Sequence, residues 1–372
     1  MGLVTRAGIA AAIAAAQVGL AYRFALAYRA RAGYPRRFPP TMSPTDVGLA
    51  FETTRVPSGG VELPGWFIPA RSGEPGPGVV LIHGWESARD RTLPLVLFLH
   101  AAGFHCLTID IRGHGANPAE ELPLSAGEFG LDALAAFHAL IARPEVTAGA
   151  IAGHSMGAIG AILAGAADPR VAAVVATSAP ADPYRLTRQT FRLARLPIPD
   201  PIAYPLAWLT TRVYLRPRRH VVDDISASAA IARYAGPILL VHGDADDVVP
   251  VSHLTRLAAA ARRARDSRKD AAPVETSVIA DGLHSWLYED AGYRATVARF
   301  LTTAMGGPLS PEEAARLAAA TVADRVPAAE ERLSAVDTVP GGFRTLVQVA
   351  LPGATKRVDV EALATADEPG LG

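Results

Sequence analysis

Ala150-Ile151-Ala152-Gly153-His154-Ser155-Met156-Gly157-Ala158-Ile159 is the stretch around which the rest of the chain is organised. Residues 153–157 form a G-x-S-x-G pentapeptide. A strand-like apolar run, 146–152, precedes it, and a small-residue helical run, 158–167, follows it. A strand that turns sharply into a helix at a serine exposes the hydroxyl on an elbow. Glycines are needed on either side, because a Cβ there would meet the neighbouring strand and helix. The helix N-terminus behind the serine favours negative charge. Taken alone, the pentapeptide is equally a Gly-rich turn with an N-capping serine. The flanking sequence has to decide.

Outward from the elbow, apolar strands alternate with helices. Strands are predicted at 79–83, 104–110, 146–153, 171–178, 237–242 and 274–280. Helices are predicted at 93–102, 126–142, 156–167, 252–265 and 286–305. Two earlier strands, 47–55 and 61–69, flank a Ser58-Gly59-Gly60 hairpin turn. Continuous apolar strands between helices mean a mostly parallel sheet covered on both faces. Ligands of such sheets gather at the carboxyl ends of the strands.

Three further signals fall at strand ends. His83-Gly84-Trp85 follows the strand at 79–83. A tight turn there aims the Trp85 backbone N–H at a carbonyl oxygen and, with the N–H of Met156, makes a two-donor oxyanion hole. A plain strand-end turn would carry the same residues. His242-Gly243-Asp244-Ala245-Asp246-Asp247 offers three carboxylates able to orient an imidazole, or else an acidic turn facing solvent. Asp281-Gly282-Leu283-His284-Ser285 places an imidazole on the loop after the last strand. Among ten histidines, only His284 has both the chain order and the strand-end loop. His154 packs rather than reacts on this reading, and His100, His105, His138, His220 and His253 are structural or solvated.

The order Ser155, Asp246, His284 is that of the nucleophile, acid and base of an α/β-hydrolase. Over about 45–301 the chain resembles that superfamily, and is similar to bacterial hydrolases grouped with serine aminopeptidase-like and prolyl-oligopeptidase-like sequences. The resemblance selects Asp246, which aligns with the acid of the family's H-G-x-x-D-x-x-V-P pattern. It also matches the family D-x-R-G-x-G loop to Asp110-Ile111-Arg112-Gly113-His114-Gly115, a structural element beside the site. The implied fold is an α/β-hydrolase with a helical lid. The implied activity is cofactor-free ester hydrolysis through a Ser-His-Asp triad and an acyl-enzyme. A peptidase or acyltransferase with the same triad is the alternative within the class. A non-catalytic hydrolase-fold binding protein is the alternative outside it.

Composition agrees with a globular enzyme. Half of the 372 residues are apolar, and 36 basic side chains balance 36 acidic ones, so no field points to nucleic acid. The single cysteine, Cys106, excludes an intramolecular disulfide and reads as a buried thiol. No His/Cys/carboxylate cluster has metal-ligand spacing. The expected partner is a small-molecule acyl substrate, and nothing in the sequence sets the oligomeric state.

Three segments surround this domain, taken as residues 45–305. Residues 1–44 hold six arginines and no acid, with sixteen uncharged residues at 7–22 and a basic, Pro-rich linker at 29–40. At ~1.5 Å per residue, that apolar run is shorter than a ~30 Å bilayer core unless Arg6 and Arg23 extend it. It reads as an uncleaved anchor, as a signal peptide with Ala25-Leu26-Ala27 as cleavage site, or as a surface-lying helix. Five arginines follow the run and one precedes it, which predicts a membrane-associated chain with its catalytic domain on the cytoplasmic side; export is the alternative. The lid, about 181–225, opens with Asp182-Pro183 as N-cap and first helical residue. It carries eight arginines and one acid between Arg185 and Arg219, with prolines at 197, 199, 201 and 205. This reads as a basic, apolar lid facing a membrane or acidic substrates, or as a solvated cap. Residues 306–372 form an appendage without assignable chemistry: a helix opened by the Ser310–Glu313 capping box, then candidate strands at 343–351 and 356–360.

Overall fold

A computed structural model describes residues 3–266 and 272–321. The chain begins with helix α1 (Leu3–Ala32). The hairpin strands β1 (Glu52–Ser58) and β2 (Val61–Ile68) follow, then β3 (Gly76–Ile82) and α2 (Leu93–Ala101). After β4 (His105–Ile109) and α3 (Ala126–Ile141) come β5 (Val146–His154) and α4 (Met156–Ala167). Next are β6 (Val171–Thr177) and the lid helices α5 (Pro183–Leu193) and α6 (Asp200–Leu215). The chain returns through α7 (Ala227–Ile231), β7 (Ile238–Gly243) and α8 (Ser252–Arg265). It ends, among the described residues, with β8 (Val274–Ile279), α9 (Ala291–Met305) and α10 (Pro311–Ala320).

The eight strands form one sheet in the order β1-β2-β4-β3-β5-β6-β7-β8. β1 and β2 pair antiparallel, as do β2 and β4; the remaining neighbours are parallel. The period-2 alternation of each central strand feeds two cores. Val80, Ile82, Ile151, Val174, Ala176 and Leu240 point to one face, under α3, α4, α7 and α8. Val79, Leu81, Ala150, Ala152, Val175 and Leu239 point to the other, under α2, α9 and α10. Burial on both faces is why these strands read as unbroken apolar runs.

Some boundaries differ from expectation. The first strand starts at Glu52, because Ser43 and Asp46 cap a 3-10 turn at Pro44–Val47. The last core helix starts at Ala291 rather than 286, capped by Asp290, whose carboxylate accepts from Tyr293 N–H at 2.6 Å. α1 continues through Arg23, Arg29 and Arg31, since no proline occurs before Pro35. The basic stretch expected as linker from residue 29 is therefore helical up to Ala32. α10 packs on α9 through Ala314, Ala315 and Ala318, and the Arg294 guanidinium donates to the Ala318 and Ala319 carbonyls at its end. The strands predicted at 343–351 and 356–360 lie outside the described residues.

Candidate active site

β5 delivers Ser155 at the turn into α4, where its backbone is forced to φ 54°, ψ −117°. This is a strained conformation for a residue with a Cβ, and it lifts the side chain clear of the helix. The two glycines make the turn possible. A Cβ on Gly153 would fall on the Gly157 carbonyl, and a Cβ on Gly157 would fall on the Ile82 and His83 carbonyls at the end of β3.

The loops after β7 and β8 bring two more side chains to this elbow. His284 Nε2 lies 3.1 Å from Ser155 Oγ, and its Nδ1 lies 2.8 Å from Asp246 Oδ2. A carboxylate only accepts, so Nδ1 carries the proton and the Nε2 lone pair faces the serine hydroxyl. Of the three aspartates on the β7 loop, Asp244 and Asp247 are exposed and Asp246 is buried. Asp246 Oδ1 accepts from the N–H groups of Val248 and Val249, at 3.0 and 2.7 Å. Burial pushes its pKa up, but hydrogen bonds from His242 and His284 and the Val249 N–H outweigh this and hold it well below the usual carboxylate range. It is therefore ionised at neutral pH.

The His83-Gly84-Trp85 turn lies against the elbow. A Cβ on Gly84 would come 3.3 Å from His154 Nδ1 and 3.5 Å from Ser155 Cβ. His83 is fixed at both nitrogens: Nε2 accepts from Ile111 N–H at 3.1 Å, and Nδ1–H donates to the Gly84 carbonyl at 2.7 Å. Burial pushes its pKa down to about 4, so it stays neutral in this role. The Trp85 ring stacks on Phe129 and meets the edge of His114, which pins the turn. Met156 is the first residue of α4, so its N–H has no acceptor within the helix. Met156 thus adjoins Ser155 at the start of α4, and Trp85 sits on the turn packed against the elbow.

Several contributors were not legible beforehand. His154 Nε2–H donates to the His284 carbonyl at 2.7 Å, and Ser178 Oγ–H donates to the same oxygen at 3.2 Å. Together they hold the histidine loop on the elbow. Burial and the adjacent His284 push the His154 pKa down to about 4. His242 donates to the Val249 carbonyl at 2.6 Å and lies 3.2 Å from Asp246 Oδ2. Gln189 of α5 donates to the Asp247 carbonyl at 2.8 Å, hooking the lid to the acid loop. Asp110 and Arg112 of the D-x-R-G-x-G loop serve architecture: Asp110 accepts from Arg89 and Ala116 N–H, and Arg112 pairs with buried Asp132. Cys106 is fully buried, and burial pushes its thiol pKa up. Among the described residues no group of three or more His, Cys, Asp and Glu is arranged to hold a metal ion.

Comparison with known proteins places this geometry in context. A family model described as serine aminopeptidase matches residues 73–206, a span that holds Trp85 and Ser155 but ends before Asp246 and His284. Two curated Mycobacterium tuberculosis proteins, both described as uncharacterized, are 32% identical over 204 residues, or 54% of this chain. The match spans 64% of the length of those relatives. Among solved structures, an esterase of Pyrococcus furiosus superposes with a TM-score of 0.56 at 22% identity, over 73% of this chain and 98% of its own. An acylaminoacyl peptidase of Pyrococcus horikoshii superposes at 0.53 and 15% identity, over 72% of this chain and 44% of its own. At these identities the structural likeness speaks for the fold.

Proposed function

We propose that this chain, a member of the α/β-hydrolase superfamily, is a serine hydrolase that cleaves carboxylic esters through an acyl-enzyme. The observation that carries the proposal is the continuous relay from Ser155 Oγ through His284 to Asp246, with spacings of 3.1 and 2.8 Å. His284 takes the serine proton as Oγ attacks the acyl carbonyl, then delivers it to the departing alkoxide. Asp246 keeps the imidazole in the required tautomer and stabilises the imidazolium. The Trp85 and Met156 N–H groups receive the oxyanion, a contribution of ~10²–10³ in rate per donor. Water activated by His284 then releases the acid. Neither cofactor nor metal enters the cycle.

Peptide hydrolysis is the second reading, favoured by the description of the matching family model. The same relay serves it, so substrate assays separate the two. The full chain is assayed against p-nitrophenyl esters of rising acyl length and against aminoacyl p-nitroanilides. Faster turnover of the esters, with covalent fluorophosphonate labelling lost in Ser155→Ala, is expected. Turnover of the anilides alone would replace esterase by peptidase, and absence of both turnover and labelling would leave a hydrolase-fold binding protein.

α1 is long and apolar enough to cross a membrane. Five of the six arginines at 1–45 follow the apolar run, so we assign the catalytic domain to the cytoplasmic side. Fractionation tests this: recovery in the medium with a new N-terminus at Tyr28 would mean a cleaved signal instead.

A further inference from the structure

We propose that α1 and the lid helix α6 form one membrane-docking surface, seating the lid on an anionic bilayer, so that the enzyme draws its substrates from the lipid phase. The substrate half of this statement rests on the ester-hydrolase reading; the docking half does not.

α1 is built into the lid. Tyr28 Oη lies 3.0 Å from Thr190 Oγ1 on α5, and the Phe24 and Tyr28 rings meet Phe191 edge-on, at 5.5 and 5.9 Å between centroids. Arg29 donates to the Val213 carbonyl at 3.1 Å, and Tyr214 Oη donates to the Ala32 carbonyl at 3.1 Å. The end of α1 thus meets the end of α6, while Phe24 shares an apolar cluster with Leu206 and Ala207. The two helices run side by side in the same direction. The free part of α1 therefore leaves the body beyond the start of α6.

That free part is apolar and exposed, with Ile13, Val18 and Leu20 in the open. Exposed side chains of α6 continue it: Ile202 near the helix start is 58% exposed, and Tyr204 and Trp208, four residues apart on one side of the helix, are 51% and 50% exposed. Next along the same face comes Arg212, its guanidinium 3.8 Å over the Trp208 ring and donating to Tyr184 Oη at 2.6 Å. Arg216 and Arg219 follow, also exposed. Apart from Arg23 and the Arg188–Asp200 ion pair at the start of α6, side-chain chemistry thus changes along one axis, from aliphatic through Tyr and Trp to Arg. A bilayer is graded in the same order, from acyl chains through the interface to phosphate. Each arginine near an anionic leaflet adds electrostatic attraction that salt screens. A second protein copy would meet the apolar part but would have to neutralise the arginines. The lid so seated holds the acid loop through Gln189 and Asp247, which ties the docked surface to the catalytic centre.

Trp208 reports on the docking directly. The full chain is reconstituted in phosphatidylcholine vesicles with and without phosphatidylglycerol, carrying lipids brominated on the acyl chains. Trp208→Phe supplies the blank for the other tryptophans. We expect the Trp208 part of the emission to be blue-shifted and quenched, more so with phosphatidylglycerol and less at high salt. Vesicle-bound protein whose Trp208 stays unquenched and open to iodide would overturn the proposal, reducing α1 to a tether. A blue shift without bromolipid quenching would also overturn it, showing that a second copy covers the face. Equal quenching in both vesicle types would remove the role given to the arginines. The activity arm uses Trp208→Asp: at least a tenfold loss on a long-chain ester embedded in vesicles is expected, with a soluble acetate ester hydrolysed within twofold of wild type. Equal loss or no loss on both esters would refute lipid-phase substrate capture. If neither ester is cleaved by wild type while Trp208 is quenched, the hydrolase reading fails and the docking stands.

Discussion

Replacing Asp246 by Asn is the sharpest probe of the relay, because the amide is nearly isosteric and either of its orientations fails in a defined way. Oδ1 accepts from two backbone N–H groups and Oδ2 from His284 Nδ1–H. If the amide keeps its oxygen toward Val248 and Val249, its NH2 group faces Nδ1–H, donor against donor. His284 then moves its proton to Nε2, donates to Ser155 Oγ and can no longer act as base. If the amide turns over, the oxygen serves His284 but the NH2 faces two buried N–H groups. Each unsatisfied donor costs about 1–3 kcal/mol. The first orientation is therefore preferred, and the loss parallels the ~10⁴-fold drop in kcat known for the same change in a serine protease triad. That factor corresponds to about 5 kcal/mol of transition-state stabilisation. KM for a p-nitrophenyl ester should stay within a few-fold, since the carboxylate does not touch substrate. Asp244→Asn and Asp247→Asn, at exposed positions, should leave kcat within about threefold. Steady-state kinetics on the three variants, with folding checked by circular dichroism, measures this. More than a tenth of wild-type kcat in Asp246→Asn, or a larger loss in either neighbour, would refute the assignment.

Other outcomes follow from the same structure. Ser155→Ala should abolish ester turnover and fluorophosphonate labelling with an unchanged melting curve; persistent labelling would point to another nucleophile. Gly157→Ala should destabilise by about 1–3 kcal/mol or more, because the new Cβ meets β3 backbone that cannot move aside; an unshifted urea midpoint would contradict the tight elbow. Burial depresses the pKa of His83 and His253 to about 4 and of His114 to about 3, from an ordinary value near 6.5. The unfolded chain thus takes up protons below pH ~6.5 that the native state refuses until about pH 4, so stability should fall across that window as pH is lowered. Urea melts at pH 7.5, 6 and 5 test the slope, and equal midpoints would show that these rings are not buried neutral. Turnover should survive exhaustive dialysis against EDTA; loss restored by a divalent ion would require a metal the relay does not use.

The sequence by itself determined the chain of elements and the elbow. Short β-branched apolar runs such as 79–82 and 171–176 match strands buried on both faces, and the G-x-S-x-G context needs only local sterics to be read. The position of His284 followed from its loop, because parallel sheets send all such loops to one edge. Which aspartate turns inward was not local: three lie within four residues, and the folded turn buries Asp246 against the Val248 and Val249 N–H groups and His284 while leaving Asp244 and Asp247 in water. The resemblance to a family picked it, and tertiary burial gives the reason. The roles of His154, Ser178 and His242 were invisible, because each acts through a partner 7 to 130 residues away. The same holds for α1. Its alanine-rich run and scattered arginines gave no sign that Phe24, Tyr28 and Arg29 belong to the lid, since that face exists only once α5 and α6 are packed beside it. Periodicity along the chain fixes what each element must bury, whereas the partner it is buried against is set by contacts that close across the whole fold.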